Sequence, residues 1–173
     1  MASRAPSAYT RLVTAADAEA LRAIYNVEVT DSTVTMDLVP RTLGQQIQWI
    51  DDHSGVFPAI VAVDSDPTGL ERILGFASVS PYRSRPGYTG TVEDSVYVHR
   101  DHQHRGLGRQ LLEDIVQRAA TSGFHVCIAH VADGHAASIR LHESVGFTMV
   151  GIEREVARKF NRWIDICIMQ KPL

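Results

Sequence analysis

The run Gln103-His104-Arg105-Gly106-Leu107-Gly108 stands where an apolar strand pattern ends and an amphipathic helix pattern begins. Its two glycines let the backbone come close to a ligand. The unpaired N–H groups of a helix's first turn, at the positive end of the dipole, favour a phosphate or pyrophosphate. The run lacks the lysine and hydroxyl of a P-loop, and the position where a dinucleotide fingerprint needs its third glycine holds Leu111. On spacing alone, an anion cradle and a plain glycine-containing helix start both stay open. Just upstream, Arg83, Arg85, Tyr88 and Glu93 occupy a loop and the beginning of the next strand. Two guanidiniums offer bidentate geometry for a carboxylate-like group, and a carboxylate entering the strand can accept a proton. The plain alternative is a solvated charged loop.

Seven of the eight histidines fall between His99 and His142. The His99-x-x-His102-x-His104 run invites a metal reading. Ligands need converging geometry, however, and this run crosses a strand end and a turn, so no metal is expected. His142 lies in Ser138-Ile139-Arg140-Leu141-His142-Glu143 and reads, on spacing, as a partly buried structural histidine. Cys127, between Val126 and Ile128, reads as core, because apolar surroundings raise a thiol's pKa.

The elements that must hold these residues follow from periodicity. Thr14-Ala15-Ala16-Asp17 is a helix start, and Ala18, Leu21, Ile24, Tyr25 and Val29 make the buried stripe of a helix running to about Thr30. A second helix after Pro40 carries Leu43, Ile47 and Ile50 and ends near His53, with Ser32 to Met36 extended between them. Ala59 to Val63 and Ile73 to Val79 predict a hairpin across the turn Asp64 to Gly69. Then come a strand from Thr91 to Val98, a helix from about Gly106 with Leu111, Leu112, Ile115, Val116 and Ala119 on one stripe, and a strand from Phe124 to Val131. A short helix from Ala136 to Val145 and strands Phe147 to Glu155 and Trp163 to Gln170 complete the chain.

The 173 residues give room for one domain, expected over residues 9–173 behind a short disordered lead, 1–8. Hydrophobic residues at 45% and charged residues at 21% exclude a disordered or fibrous chain. With 17 basic and 20 acidic side chains, a formal charge of -3, non-specific nucleic-acid binding is not expected. Nowhere do 18 consecutive apolar residues occur, so no membrane span is expected, and two cysteines among apolar neighbours suit a reducing cytoplasm.

Strand, then Gln-x-x-Gly-x-Gly at a helix start, then Ser-x-x-Leu-His-Glu-x-x-Gly-Phe together resemble the GNAT acyl-CoA N-acyltransferases. Arg83-x-Arg85-x-x-Tyr88-x-x-Thr91-x-Glu93-x-Ser95-Val96-Tyr97-Val98 and the ending Trp163-x-Asp165 are similar to the phosphinothricin and methionine sulfone/sulfoximine acetyltransferase group within it. The resemblance implies an α/β (α+β) fold: a central mixed, mostly antiparallel sheet with splayed central strands, flanked by helices. It implies acetyl-CoA as co-substrate, its pantetheine along Val96, Tyr97 and Val98 and its pyrophosphate against Gln103, His104, Arg105, Gly106, Leu107 and Gly108, with His135 and Ser138 beside the cofactor. Glu93 would take a proton from the substrate amine, His142 would protonate the leaving thiolate, and the Val98 N–H would polarise the thioester carbonyl. Arg83 and Arg85 would hold the acidic parts of a small amino-acid-like amine, with Tyr88, Glu93, Asp94 and Ser95 completing the substrate side. A homodimer paired through the C-terminal part is also implied.

The chain departs from the group's pattern at Gly90 and Met36, at His135 where an asparagine is usual, and at Ala157 and Asn161 where the last hairpin carries glycines. The expected activity is acetyl transfer to the α-amine of a small amino acid or analogue. Transfer to peptide N-termini or other amines, or a non-catalytic acetyl-CoA sensor, are the alternatives.

Overall fold

The computed structural model describes residues 8–65 and 68–173. Strand β1 (Tyr9–Leu12) leads into α1 (Ala18–Asp31) and α2 (Leu43–Asp52). Then follow β2 (Ala59–Ser65), β3 (Glu71–Pro81), β4 (Thr91–Val98), α3 (Leu107–Thr121), β5 (Val126–Ala132), α4 (Ala136–Ser144), β6 (Thr148–Lys159) and β7 (Arg162–Pro172). The strands form one seven-stranded sheet in the order β1-β2-β3-β4-β5-β7-β6. All neighbours are antiparallel except β4 and β5. The expected disordered lead lies, apart from Ala8, outside the described residues; Ala8 packs against the core and its carbonyl accepts from the Gln110 side chain at 3.0 Å. The centre of the expected hairpin turn, residues 66 and 67, also lies outside them.

Each face of the sheet is covered by helices whose stripes alternate strand positions select. On one face α3 buries Leu107, Leu111, Leu112, Ile115, Val116 and Ala119 against Ile60, Ala62, Leu74, Val92, Cys127, Ala129 and Val131. On the other, α1 buries Leu21, Ile24, Tyr25 and Val29 against Val61, Val63 and Phe76, as its spacing predicts. Its start is fixed by Asp17, whose carboxylate accepts from the Thr14 amide at 2.8 Å and from the two terminal guanidinium nitrogens of Arg11 at 2.8 Å.

Two expectations are corrected. Helix α2 turns Gln46 and Ile50 inward, while Leu43 and Ile47 remain exposed. The row is set by Trp49, which packs edge-on to Phe76 and stacks on His53, and by Arg41, which lies over the Tyr25 and Trp49 rings and reaches Gln46 Oε1 at 3.4 Å. Ser32 to Met36 joins no strand; it is a bent loop pinned by Lys159 Nζ, which donates to the Thr35 carbonyl at 2.7 Å. At the turn of the last hairpin Phe160 and Asn161 are left-handed, with φ of 50° and 59°; Glu155 in β6 is left-handed too, at 52°, within a register shift, while Ala157 lies in β6 opposite Ile164.

Register slips once where β3 faces β2, pairing Gly75 with Ala62 but Ile73 with Val63. A Cβ on Gly75 would sit 2.6 Å from the Tyr97 carbonyl oxygen and 3.1 Å from Val98 Cα. Glycine therefore lets β3 lie close against the far half of β4. Gly75→Ala is expected to lower the free energy of unfolding by about 1–3 kcal/mol. Urea denaturation checks this, and an unchanged midpoint would show that the contact relaxes freely.

Candidate active site

Strand β4 is paired with β5 only through Thr91, Val92 and Glu93, which face Val126, Cys127 and Ile128. Beyond Glu93 the two strands part, β4 staying with β3 and β5 with β7. The Tyr82 amide donates to the Thr91 carbonyl and the His99 amide to the Leu74 carbonyl, so odd-numbered residues of β4 bond to β3. Alternation then turns the N–H and C=O groups of Val96 and Val98 into the fork, while those of Ser95 and Tyr97 are spent on β3. Of the three residues expected along the pantetheine, two therefore present free backbone. The fork opens into a cleft of about 680 Å³, lined on one side by Glu93 to Val98 and on the other by Ala129 to Ala132.

One end of the cleft is the start of α3. His104, with φ of 60°, and Gly106, with φ of 80°, turn the chain left-handedly into the helix. The first bond of this turn runs from the Gln110 amide to the Gly106 carbonyl, so the amides of Leu107, Gly108 and Arg109 precede it. Gly108 has a second task, since a Cβ there would meet Leu141 of α4 at 3.3 Å. Gln103, His104, Gly106, Leu107 and Gly108 line the cleft as the cradle requires. Arg105, expected among them, does not line the cleft; its side chain meets His102 Nδ1 at 3.0 Å. Ser138 and His135 line the same cleft, and His135 Nε2 lies 2.9 Å from Thr33 Oγ1, tying α4 to the loop after α1.

Two carboxylate–imidazole pairs flank the point where the strands part. On the α1 side, Glu93 Oε1 lies 2.9 Å from His130 Nδ1. On the α3 side, Asp94 Oδ2 lies 3.1 Å from His142 Nε2, and Asp94 Oδ1 takes the Cys127 thiol at 3.8 Å. Asp94, expected on the substrate side, lines the cleft, with its side chain 2% exposed and bonded to His142 and Cys127. Its even-numbered position turns it with Val92 toward α3, away from Glu93. His142 Nδ1 donates to the Ser138 carbonyl at 2.7 Å, so both ring nitrogens are engaged. Burial works against charge on His142, yet the Asp94 carboxylate outweighs it and holds the imidazole above its ordinary value. His142 was expected to give a proton to a thiolate; it lines the cleft, with Nδ1 bonded to the Ser138 carbonyl and Nε2 to the Asp94 carboxylate. Burial, with Asp94 next, pushes the Cys127 thiol upward, in keeping with its reading as core.

Arg83, Arg85 and Tyr88 line a separate hollow with Ser84. It adjoins the fork through Tyr82, whose ring lies parallel to His130 at 6.1 Å and edge-on to Tyr88 at 5.8 Å, with the Arg83 guanidinium over both tyrosines. Sequence reasoning missed His130 and Tyr82. It also missed Tyr25 and Thr35, which line the cleft beside Met36, a position the sequence had singled out; the Tyr25 hydroxyl donates to Asp37 at 2.6 Å.

The family model described as Acetyltransferase (GNAT) domain matches residues 10–168. The chain is 40% identical over 168 residues to an L-methionine sulfoximine/L-methionine sulfone acetyltransferase of Pseudomonas aeruginosa, covering 96% of this chain and 95% of that one. It is 36% identical over 157 residues to a phosphinothricin N-acetyltransferase of Streptomyces coelicolor, 91% of each chain. The structure of yncA from Salmonella typhimurium with its cofactor acetyl-CoA superposes with a TM-score of 0.89 at 35% identity, over 96% of this chain and 94% of that one.

Because His142 gains its partner on folding, its imidazole is raised in the folded state above the ordinary 6.5. The stability it contributes is complete below that value and is lost as pH rises through the raised one. Asp94→Asn is expected to destabilise by about 3 kcal/mol near pH 6, with a smaller deficit at pH 9. Urea unfolding at both pH values checks this, and a deficit independent of pH would contradict a charged pair.

Proposed function

The chain belongs to the GNAT acetyltransferase family, and from that premise we propose that it moves the acetyl group of acetyl-CoA onto the α-amine of a small amino acid or analogue, of the methionine sulfone, methionine sulfoximine or phosphinothricin kind. The observation that carries this reading is Glu93, 36% exposed, at the last paired residue before the strands part. An α-amine has a reference pKa near 8, so only about a tenth of it is neutral at pH 7. Glu93 takes one proton from the ammonium, directly or through water, and the freed lone pair attacks the thioester carbonyl carbon. The C–N bond forms, the C–S bond breaks, and the nitrogen's second proton neutralises the departing thiolate. The Val98 N–H, turned into the fork, supports the developing oxyanion. His142, which lines the cleft with its Nε2 on Asp94, is the group assigned to assist the departing thiolate.

Arg83 and Arg85 hold the acid group of the acceptor in this reading, and they disfavour a polycation by repulsion. The homodimer belongs to the same reading; edge strand β6 exposes Met149, Val150, Ile152 and Val156, which supports a second copy there.

The test is release of CoA thiol from acetyl-CoA with a panel of free amino acids, the three analogues, peptides and a polyamine. Release is expected with one of the amino acids or analogues. Glu93→Gln is expected to lower turnover by about two orders of magnitude with acetyl-CoA affinity nearly unchanged. Full turnover in that variant would remove Glu93 from the mechanism, and release with peptides alone would move the acceptor class to protein N-termini.

A further inference from the structure

His130 faces the fork, yet the reaction set out above gives it no part. It sits on β5 two residues beyond Ile128, the partner of Glu93, and is therefore the first residue on that face past the last paired position. Its Nδ1 lies 2.9 Å from Glu93 Oε1, its ring is packed parallel to Tyr82, and it lines the cleft. An imidazole on the Cys127 face would have entered the core under α3; on this face it meets the carboxylate.

We propose that His130 is a positioning residue for the base, its Nδ1–H fixing Oε1 of Glu93 so that Oε2 is left to the amine, and its loss of a proton setting when that carboxylate is free to accept one. This rests on the reading of Glu93 as base. Glu93 from β4 and the Tyr82 ring from the segment after β3 pack against His130, and the charges of Glu153 from β6 and of Asp94 on the opposite face act on it at longer range. The bond to Glu93 outweighs burial, and the three acids together hold the imidazole above its ordinary value. While the ring is charged, the carboxylate is one half of an ion pair and a weak proton acceptor. Once the ring is neutral, Nδ1–H still aims the carboxylate but no longer competes for its charge. Replacing His130 is therefore expected to move the acid limb of the rate profile.

The test compares kcat/KM against pH for the wild type, His130→Asn, His130→Ala and Glu93→Gln, using whichever acceptor the panel identifies. Asparagine keeps a donor near the Nδ1 position but cannot titrate; alanine keeps neither. The Asn variant is expected to hold most of the plateau rate while its acid limb moves down by about one pH unit or more. The Ala variant is expected to lose roughly tenfold at the plateau as well. Acetyl-CoA affinity and the urea midpoint, measured on each variant, are expected to stay close to wild type. If Glu93→Gln loses turnover but the Asn and Ala profiles superimpose on the wild type after scaling, His130 has no such role and the base assignment stands. If Glu93→Gln keeps full turnover, the base assignment fails and this inference with it.

Discussion

Strands β4 and β5 run side by side for three residues each and then separate, and the site is a consequence of that separation. Each strand keeps one ordinary neighbour, β3 for β4 and β7 for β5, so the sheet stays intact while its middle opens. A strand half-paired inside a sheet leaves backbone N–H and C=O groups that must find a partner, at about 1–3 kcal/mol for each one buried without one. Val96 and Val98 carry those groups, and in the proposed function the amide-bearing pantetheine of acetyl-CoA pairs with them. Gly75 contributes from behind, because only a residue without a Cβ lets β3 press against this part of β4.

The same fork divides two consecutive acids between two layers. Glu93 falls on the α1 face and finds His130, half-exposed at the mouth of the cleft. Asp94 falls on the α3 face and finds His142, sealed beneath it. Exposure then separates their employment. A carboxylate 36% exposed to the cleft can reach a bound amine, whereas one only 2% exposed is confined to its protein partners. Period-two alternation of side chains is what sends neighbours in the chain into two different carboxylate–imidazole pairs.

Much of this was legible in the residues. The stripe of α1, the stripe of α3 and the glycine turn between β4 and α3 follow directly from spacing, and with the resemblance they lead to the splayed sheet. The inward row of α2 was hidden because Leu43 and Ile47 outrank Gln46 on apolar character, while the packing of Trp49 against Phe76 is a tertiary choice. Asp94 and His130 each left a faint signal. Asp94 interrupts the apolar row of Val92, Val96 and Val98, and a lone acid on such a row requires a buried partner. His130 interrupts an apolar strand on the face opposite Cys127. What no spacing rule supplies is that the partners stand across the fork, since those distances depend on where two strands cease to pair.

The most direct test of the central claim is amide-resolved hydrogen exchange by NMR along β4, with and without acetyl-CoA. Odd-numbered residues already donate to β3, while Val96 and Val98 face the open fork. Binding is predicted to slow exchange at Val96 and Val98 sharply and to leave Ser95 and Tyr97 little changed. Uniform protection along the strand, or none at Val96 and Val98, would contradict the account.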